Sequence, residues 1–248
     1  MNDFVAPDDL ACLQAHGLAD FDALWALKLE AVDLPNTERG GWSSVFRLEL
    51  GERAYYLKRQ SNHLTRSLAH PFGEPTFARE FRNIRRYAKL GIPALQAAFF
   101  AERRCSGEHR AILLTRALDG WHELDHWLDQ WPAVEAGQRE ALLDACGRLA
   151  RQLHGTGQMH GCFYPKHIFL RPAAVGYEAC LIDLEKTRPL LFGRRDRVKD
   201  LEPLLRRARI WSTADIRHFL VAYLRSSADV EHWEQLLMRR QRDKESRA

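Results

Sequence analysis

The chain has 248 residues, 46% of them apolar, and a net charge of +4, which allows one two-lobed domain or two small ones of ordinary globular composition. No stretch approaches the run of about 20 apolar residues that a membrane span needs, and Met1-Asn2-Asp3-Phe4 lacks the basic and apolar regions of a secretory signal. Five scattered cysteines, an odd number, suit reduced cytosolic thiols rather than a disulfide framework and lead us to expect a cytoplasmic protein.

Residues 8 to 29 read as helix, with Asp8 and Asp20 as N-caps and Leu, Trp and Phe at helical spacing. The pattern then changes. Val45, Phe46, Leu48 and Leu50 predict a strand over 42–50, and Gly51-Glu52-Arg53 a turn. A second strand follows from Ala54 to Arg59, where Tyr55 and Leu57 alternate with Tyr56 and Lys58. The segment from 61 to 75 holds His63, His70, Pro71, Gly73 and Pro75 and reads as irregular. Thr76 to Leu90 is a charged amphipathic helix, stopped by Gly91 and Pro93. Two more strands fit Leu95 to Glu102 and Arg110 to Thr115. Beyond Leu118 the pattern turns helical over 121–129 and 134–155, the second with Leu142, Leu143, Leu149 and Leu153 on an inward face. Ile168-Phe169-Leu170 and Cys180-Leu181-Ile182 are short strands on either side of a turn near Gly176. Helices are expected over 199–208, 213–225 and 229–240, and the polar tail from Gln241 is expected to fray. Strands thus dominate the first half and helices the second. This α+β order predicts a small antiparallel-sheet lobe at 1–116 and a mainly helical lobe at 117–248, joined near Arg116 to Gly120; it is the layout of a bilobal kinase.

Phosphoryl transfer needs a cation on the phosphates, a metal to neutralise them and a group to orient the nucleophile. Gly40-Gly41-Trp42-Ser43-Ser44 lies between two elements, where Gly40, Gly41 and Ser43 could offer backbone N–H groups to phosphate; an ordinary turn explains a Gly-Gly pair equally well. Lys58 sits mid-strand and is a candidate phosphate ligand, although alone it reads more simply as an exposed strand Lys. Glu80, in the first turns of the next helix, could hold it. Asp183 ends an apolar strand, a natural place for a Mg²⁺ ligand.

The run His160-Gly161-Cys162-Phe163-Tyr164-Pro165-Lys166-His167-Ile168-Phe169-Leu170, followed by Asp183-Leu184-Glu185-Lys186, has the layout of a kinase-type catalytic loop and metal-binding strand. Cys162 stands where such a loop has its Asp base, and His167 where it has its metal-binding Asn. A thiol, with a pKa of about 8.5, replaces a carboxylate poorly, and losing a general base costs about 10² to 10⁴ in rate. Imidazole suits softer ions than Mg²⁺. Other readings use the same residues: a zinc site of His160, Cys162, His167 and Cys180, a Cys162 nucleophile assisted by a His, or Cys162 as a small buried apolar residue. Asp200 reads by default as the N-cap of a helix, with a second possible role in hydrogen-bonding the backbone of the loop. Arg188, Arg194, Arg195, Arg197 and Lys199 precede or surround it; they could face a phosphorylated acceptor, an anionic membrane or only water. Only seven of the 37 basic residues are Lys; Arg favours phosphate contacts, and biased composition is the simpler account.

Several stretches carry a resemblance: Tyr56-Leu57-Lys58-Arg59, Asn62-His63-Leu64, His70-Pro71-Phe72-Gly73-Glu74-Pro75-Thr76, Arg79-Glu80, the 160–168 loop and Asp183-Leu184-Glu185-Lys186. The chain resembles the lipopolysaccharide kinase (Kdo/WaaP) family, most closely its InaA-like branch, which is similar even at Cys162. The resemblance implies a protein-kinase-like fold with ATP between the lobes. It implies that Lys58 binds ATP phosphates, Glu80 pairs with Lys58 and Asp183 holds Mg²⁺. It implies a lipopolysaccharide-core sugar or related small hydroxylated acceptor, at the cytoplasmic side of the inner membrane, and no nucleic-acid partner. The loop is also similar to that of aminoglycoside phosphotransferases, from which it departs at Cys162 and His167. Cys162, Asp183 or a substrate group is then left to act as base. A pseudokinase, a nucleotide-binding or regulatory module linked to acid or envelope stress, is the alternative.

Overall fold

The fold is described from a computed structural model of residues 3–37, 40–66 and 70–246. The expectations for residues 1–2, 67–69 and 247–248 lie outside those residues. The chain divides into two compact units, Met1–Ala88 with Leu95–Asp119, and Lys89–Ala94 with Gly120–Ala248.

The first unit contains, in chain order, β1 (Phe4–Val5), α1 (Pro7–Ala15), α2 (Phe21–Ala26), β2 (Trp42–Leu50), β3 (Arg53–Ser61), β4 (Leu64–Thr65), β5 (Glu74–Pro75), α3 (Thr76–Leu90), β6 (Ala97–Cys105) and β7 (Glu108–Arg116). Five strands form an antiparallel sheet in the order β1-β6-β7-β3-β2. Period-two alternation gives the sheet two apolar faces. Tyr55, Leu57, Phe99, Ile112 and Leu114 form one core with Leu13, Phe21 and Leu24 of α1 and α2. Phe81 of α3 stacks on Phe100 at 4.3 Å, on the opposite face.

The single helix expected over 8–29 is two helices. Gly17, at a φ of 67°, turns the chain between them. Asp8 is not a cap, because the N-cap is Ala6 and Pro7 opens α1. Asp20 does cap α2, accepting from the Ala23 N–H at 2.9 Å. The neighbouring Asp9 is fully buried and accepts from the Tyr55 hydroxyl at 3.0 Å and Arg116 Nε at 3.0 Å, fixing α1 on the sheet. Burial, helped by the bond to Asp9 and opposed by Arg53, pushes the Tyr55 hydroxyl up to about 12.

The second unit contains β8 (His122–Glu123), α4 (Leu124–Asp129), α5 (Ala136–Gly155), β9 (Gln158–Met159), β10 (Ile168–Pro172), β11 (Tyr177–Leu181), β12 (Arg188–Pro189), α6 (Arg194–Arg207), α7 (Thr213–Leu224) and α8 (Val230–Glu245). β11, β10 and β8 make one small sheet, and β12 pairs with β9. α5 buries Leu142, Cys146, Leu149, Ala150 and Leu153, the spacing of one helical face, and α7 contributes Phe219, Leu220 and Tyr223. Ser212 and Asp215 form a reciprocal capping box that starts α7. α8 runs to Glu245 rather than fraying at Gln241. α6 starts at Arg194, five residues before the expected helix.

Asp196 explains that early start. Its Oδ2 accepts from the N–H groups of Leu191 and Phe192 at 2.8 and 3.1 Å, and Arg188 grips both its oxygens at 3.1 and 3.3 Å. Burial pushes the carboxyl up, but Arg188 and the two N–H groups outweigh it and hold Asp196 down at about 2, against an ordinary 3.8. A depressed folded-state pKa stabilises the fold above the unfolded value, and the gain is lost as pH falls from about 4 to about 2. We expect Asp196→Asn to be less stable than the parent by about 2 kcal/mol at pH 7, with the gap closing below pH 3. Urea melts of both proteins at pH 7, 4 and 2.5 measure this; a pH-independent gap would contradict it.

Candidate active site

In the first unit, the alternation of β3 carries Lys58 to the face that α3 covers, opposite Leu57. Lys58 lies in register with Val45 on one side and Leu113 on the other. Its Nζ donates to Glu80 Oε1 at 2.6 Å, with the Lys side chain 17% and the Glu side chain 4% exposed. The sequence-selected pair is therefore brought together. At this burial the ion pair needs an ordered partner on each side, and the pair fixes the ammonium in place.

The Gly-Gly segment sits at the start of β2. Gly40 has a φ of 76°, and a Cβ on Gly41 would stand 2.2 Å from the Ser61 carbonyl oxygen. Gly41 thus has a packing reason, the close approach of β2 to the end of β3. The Ser43 N–H donates to the Asn36 carbonyl at 2.8 Å.

In the second unit, the loop from 160 to 167 is built on backbone hydrogen bonds. Asp200 lies inside α6 and is not its N-cap, which is Gly193. Its buried carboxylate accepts from the N–H groups of His160 and Gly161, each at 2.7 Å, and lies 3.1 Å from His154 Nε2. His154 Nδ1 is 2.8 Å from the Tyr223 hydroxyl, whose pKa is raised chiefly by burial. Gly161 has a φ of 81°, and a Cβ there would meet the Lys186 carbonyl oxygen at 2.6 Å, so the loop admits no side chain at this point.

His160 is fully buried. Its Nε2 donates to the Ile182 carbonyl at 2.9 Å, and its Nδ1 accepts from the Cys162 N–H at 3.3 Å. It ties the loop to the residue before Asp183 and is not placed to activate the Cys162 thiol as a nucleophile's base would be. Cys162 is 4% exposed. Its thiol adjoins the Tyr164 hydroxyl, which is raised first by burial and then by that neighbour. The Arg207 guanidinium lies over the Tyr164 ring at 3.8 Å.

His167 follows on a short turn, Pro165–His167. Its Nδ1 donates to the Cys162 carbonyl at 2.9 Å and its Nε2 is 3.3 Å from Asp183 Oδ2. Burial lowers its pKa, against the opposing pull of Asp183. Asp183 adopts a left-handed conformation, φ 56° and ψ 63°, which Asp tolerates; buried Leu184 anchors the following residue. A nitrogen and a half-exposed carboxylate oxygen facing one another fit a divalent ion. Among the described residues no three His, Cys, Asp or Glu side chains gather as a closed zinc site requires. Cys180 is turned away, donating to the Leu181 carbonyl at 3.8 Å, with its thiol pushed by burial up to about 12. His154 and Tyr223 have no sequence signal, because they meet across α5 and α7, which only the fold brings together.

A β-strand Lys paired with a helical Glu, and a clamped loop leading to a strand-end Asp, define a kinase-like protein. The chain belongs to the lipopolysaccharide kinase (Kdo/WaaP) family, which matches residues 22–223. Protein InaA of Escherichia coli (strain K12) is 32% identical over 180 residues, 72% of this chain and 82% of InaA. A solved structure, WaaP in complex with acyl carrier protein, shares the fold with a TM-score of 0.73 over 99% of each chain, at 23% identity. The α+β kinase-like architecture expected from the sequence is the one found.

Proposed function

We propose that the protein is an ATP-dependent phosphotransferase of the lipopolysaccharide-core sugar kinase type, acting on such a sugar or a related small hydroxylated acceptor with a weakened catalytic base. The ordered Lys58–Glu80 pair carries this reading, because a partly buried strand Lys held by a buried carboxylate is costly to keep unless its charge is used. Lys58 holds the nucleotide phosphates and Glu80 positions Lys58. Asp183, with His167, holds a divalent ion. Asp200 and His160 shape the loop around Cys162. When bound, ATP supplies the phosphoryl group and the ion, Mg²⁺ in most kinases, neutralises its charge. Exposed Leu191 and Phe192 beside Arg194 and Arg195 support a peripheral contact with an anionic inner-membrane surface, from the cytoplasmic side. No helix among the described residues is long and apolar enough to cross a membrane.

Mg-ATP binding measured by calorimetry tests the site. Losing one charged hydrogen-bond donor to phosphate is worth about 1.5 to 3 kcal/mol, so Lys58→Ala should weaken binding by roughly 10- to 100-fold. Asp183→Ala should abolish the dependence on the ion. No binding to the parent at millimolar ATP would overturn the nucleotide site.

A second reading has its own support in the burial of the Cys162 thiol against Tyr164. In it the protein is a pseudokinase, a nucleotide-binding or regulatory module without turnover. Binding that responds to both variants, with no product from any acceptor, would favour it.

A further inference from the structure

The second unit holds a cavity of about 540 Å³ among α5, β11 and the end of α7. Neither the 160–167 loop nor Asp183 lines it, and its volume is that of a small-molecule site. Three guanidiniums line it. Arg148 and Arg151 lie on one face of α5. Arg225 ends α7 in a left-handed conformation, φ 59°. Trp121 and Tyr177 are the aromatic part of the lining, and Leu149 adds apolar surface.

Two of these guanidiniums are held by groups that do not cancel their charge. Arg151 donates to the Ala222 carbonyl at 2.6 Å and Arg148 to the Tyr177 carbonyl at 3.2 Å. A guanidinium has several N–H donors, so each keeps others for a ligand. The nearby carboxylates are engaged elsewhere or shared. Asp144 lies 3.8 Å from Arg148 and 3.0 Å from His218, and Glu178 pairs with Arg171 at 2.8 Å. Among the described residues no carboxylate pairs with Arg151 or Arg225. Burial first, and then the guanidiniums of Arg225 and Arg148, lower the pKa of Arg151. The neighbours' part in that shift is like-charge repulsion that no carboxylate offsets.

We propose that this cavity binds a ring-bearing phosphate monoester, its phosphate held by Arg151 and Arg225 and its ring packed on Trp121 and Tyr177. A phosphate monoester carries a charge of about −1.5 to −2 at neutral pH. That answers two unpaired guanidiniums, where a carboxylate answers one. Its oxygens accept from both guanidinium forks, the geometry for which Arg is suited and Lys is not. An arginine at a helix C-terminus also complements the helix dipole, which accounts for Arg225 alone. It does not account for Arg151 beside it or for the aromatic lining. A sugar phosphate and a mononucleotide share the required chemistry. The site is independent of the role given to Lys58 and Asp183.

The test is calorimetric titration of the full chain, with no added metal ion, by glucose 6-phosphate, AMP and inorganic phosphate. One of the two ring compounds should bind roughly tenfold or more tightly than inorganic phosphate, because only a ring reaches the aromatic lining. The tighter of the two identifies the ring as sugar or base, and either order supports the site. Arg225→Asn removes the charge and tolerates the left-handed backbone. It should weaken binding by roughly 10- to 100-fold, the scale of one charged hydrogen-bond donor. Arg151→Gln should act alike and serves if the first variant does not fold. Trp121→Leu should reduce the ring compound to the affinity of inorganic phosphate. No binding at millimolar concentration, equal affinity for all three ligands, or binding unchanged by Arg225→Asn and Arg151→Gln overturns the assignment. AMP binding that is lost in Lys58→Ala and kept in Arg225→Asn belongs to the nucleotide site and overturns it too.

Discussion

Replacing Asp200 by Ala is expected to cost about 4 kcal/mol of stability, the scale of removing one partner from a buried charged network. Three groups depend on that carboxylate: the N–H of His160, the N–H of Gly161 and His154 Nε2. It is 2% exposed, so water cannot reach in to replace it, and each orphaned buried donor costs about 1 to 3 kcal/mol. Asp200→Asn should recover little. Its amide has one acceptor oxygen and one NH₂, and the NH₂ would face an N–H that already donates. We therefore expect both variants to melt roughly 10 °C below the parent. Asp200→Ala should also raise hydrogen exchange at His160 and Gly161 above that of α5, because the loop loses its anchor before the helix does. Urea and thermal melts of the three proteins decide the matter. A loss under 1 kcal/mol in the Ala variant would mean that the clamp is not what holds the loop.

Part of that clamp is legible in the sequence, where Asp200 reads either as a helix cap or as an acceptor for the loop backbone, and the second role is the one found. Elements governed by a local period were legible. Thr76–Leu90 is found as expected, and β2 and β3 follow the alternation of Val45 to Leu50 and of Tyr55 to Lys58. The Lys58–Glu80 pairing is expected from the place of Glu80 in the next helix and from the family resemblance, and the structure brings the two together. Errors fell where a single tertiary contact decides. Gly17 splits a pattern that looked like one helix. Asp196 caps residues behind it, so α6 begins among arginines whose polarity hid the start. With that start Asp200 lies mid-helix and not at the cap. His154 and Tyr223 sit on α5 and α7 with ordinary helical surroundings. Cys162 is buried, as one reading of the loop expects, but its contact with Tyr164 depends on the shape of the turn and has no signature in the chain.

Cys162→Asp is expected to raise turnover about 100-fold, measured as ATP hydrolysis or as transfer to an acceptor. The reason lies in how the loop is held. Cys162 contributes its backbone three times: its carbonyl accepts from His167 Nδ1 at 2.9 Å and from the Tyr164 N–H at 2.8 Å, and its N–H donates to His160 at 3.3 Å. None of these uses the thiol, so the side chain can change while the loop keeps its shape. A general base is worth about 10² to 10⁴, and the lower end applies because a loose phosphoryl transition state takes most of its stabilisation from positioning. The introduced carboxylate would enter a site only 4% exposed, a burial that raises a carboxyl pKa. The Tyr164 hydroxyl adjoins the position and can donate to the anion, which opposes that rise. Part of the gain should therefore appear only as pH increases through the new carboxyl's range, giving a rate that climbs to a plateau above neutrality. A variant that binds Mg-ATP as the parent does and still shows no rise at any pH would sink the idea that the base is the missing part. The intact Lys58–Glu80 pair would then serve nucleotide binding alone, and the protein would be a pseudokinase.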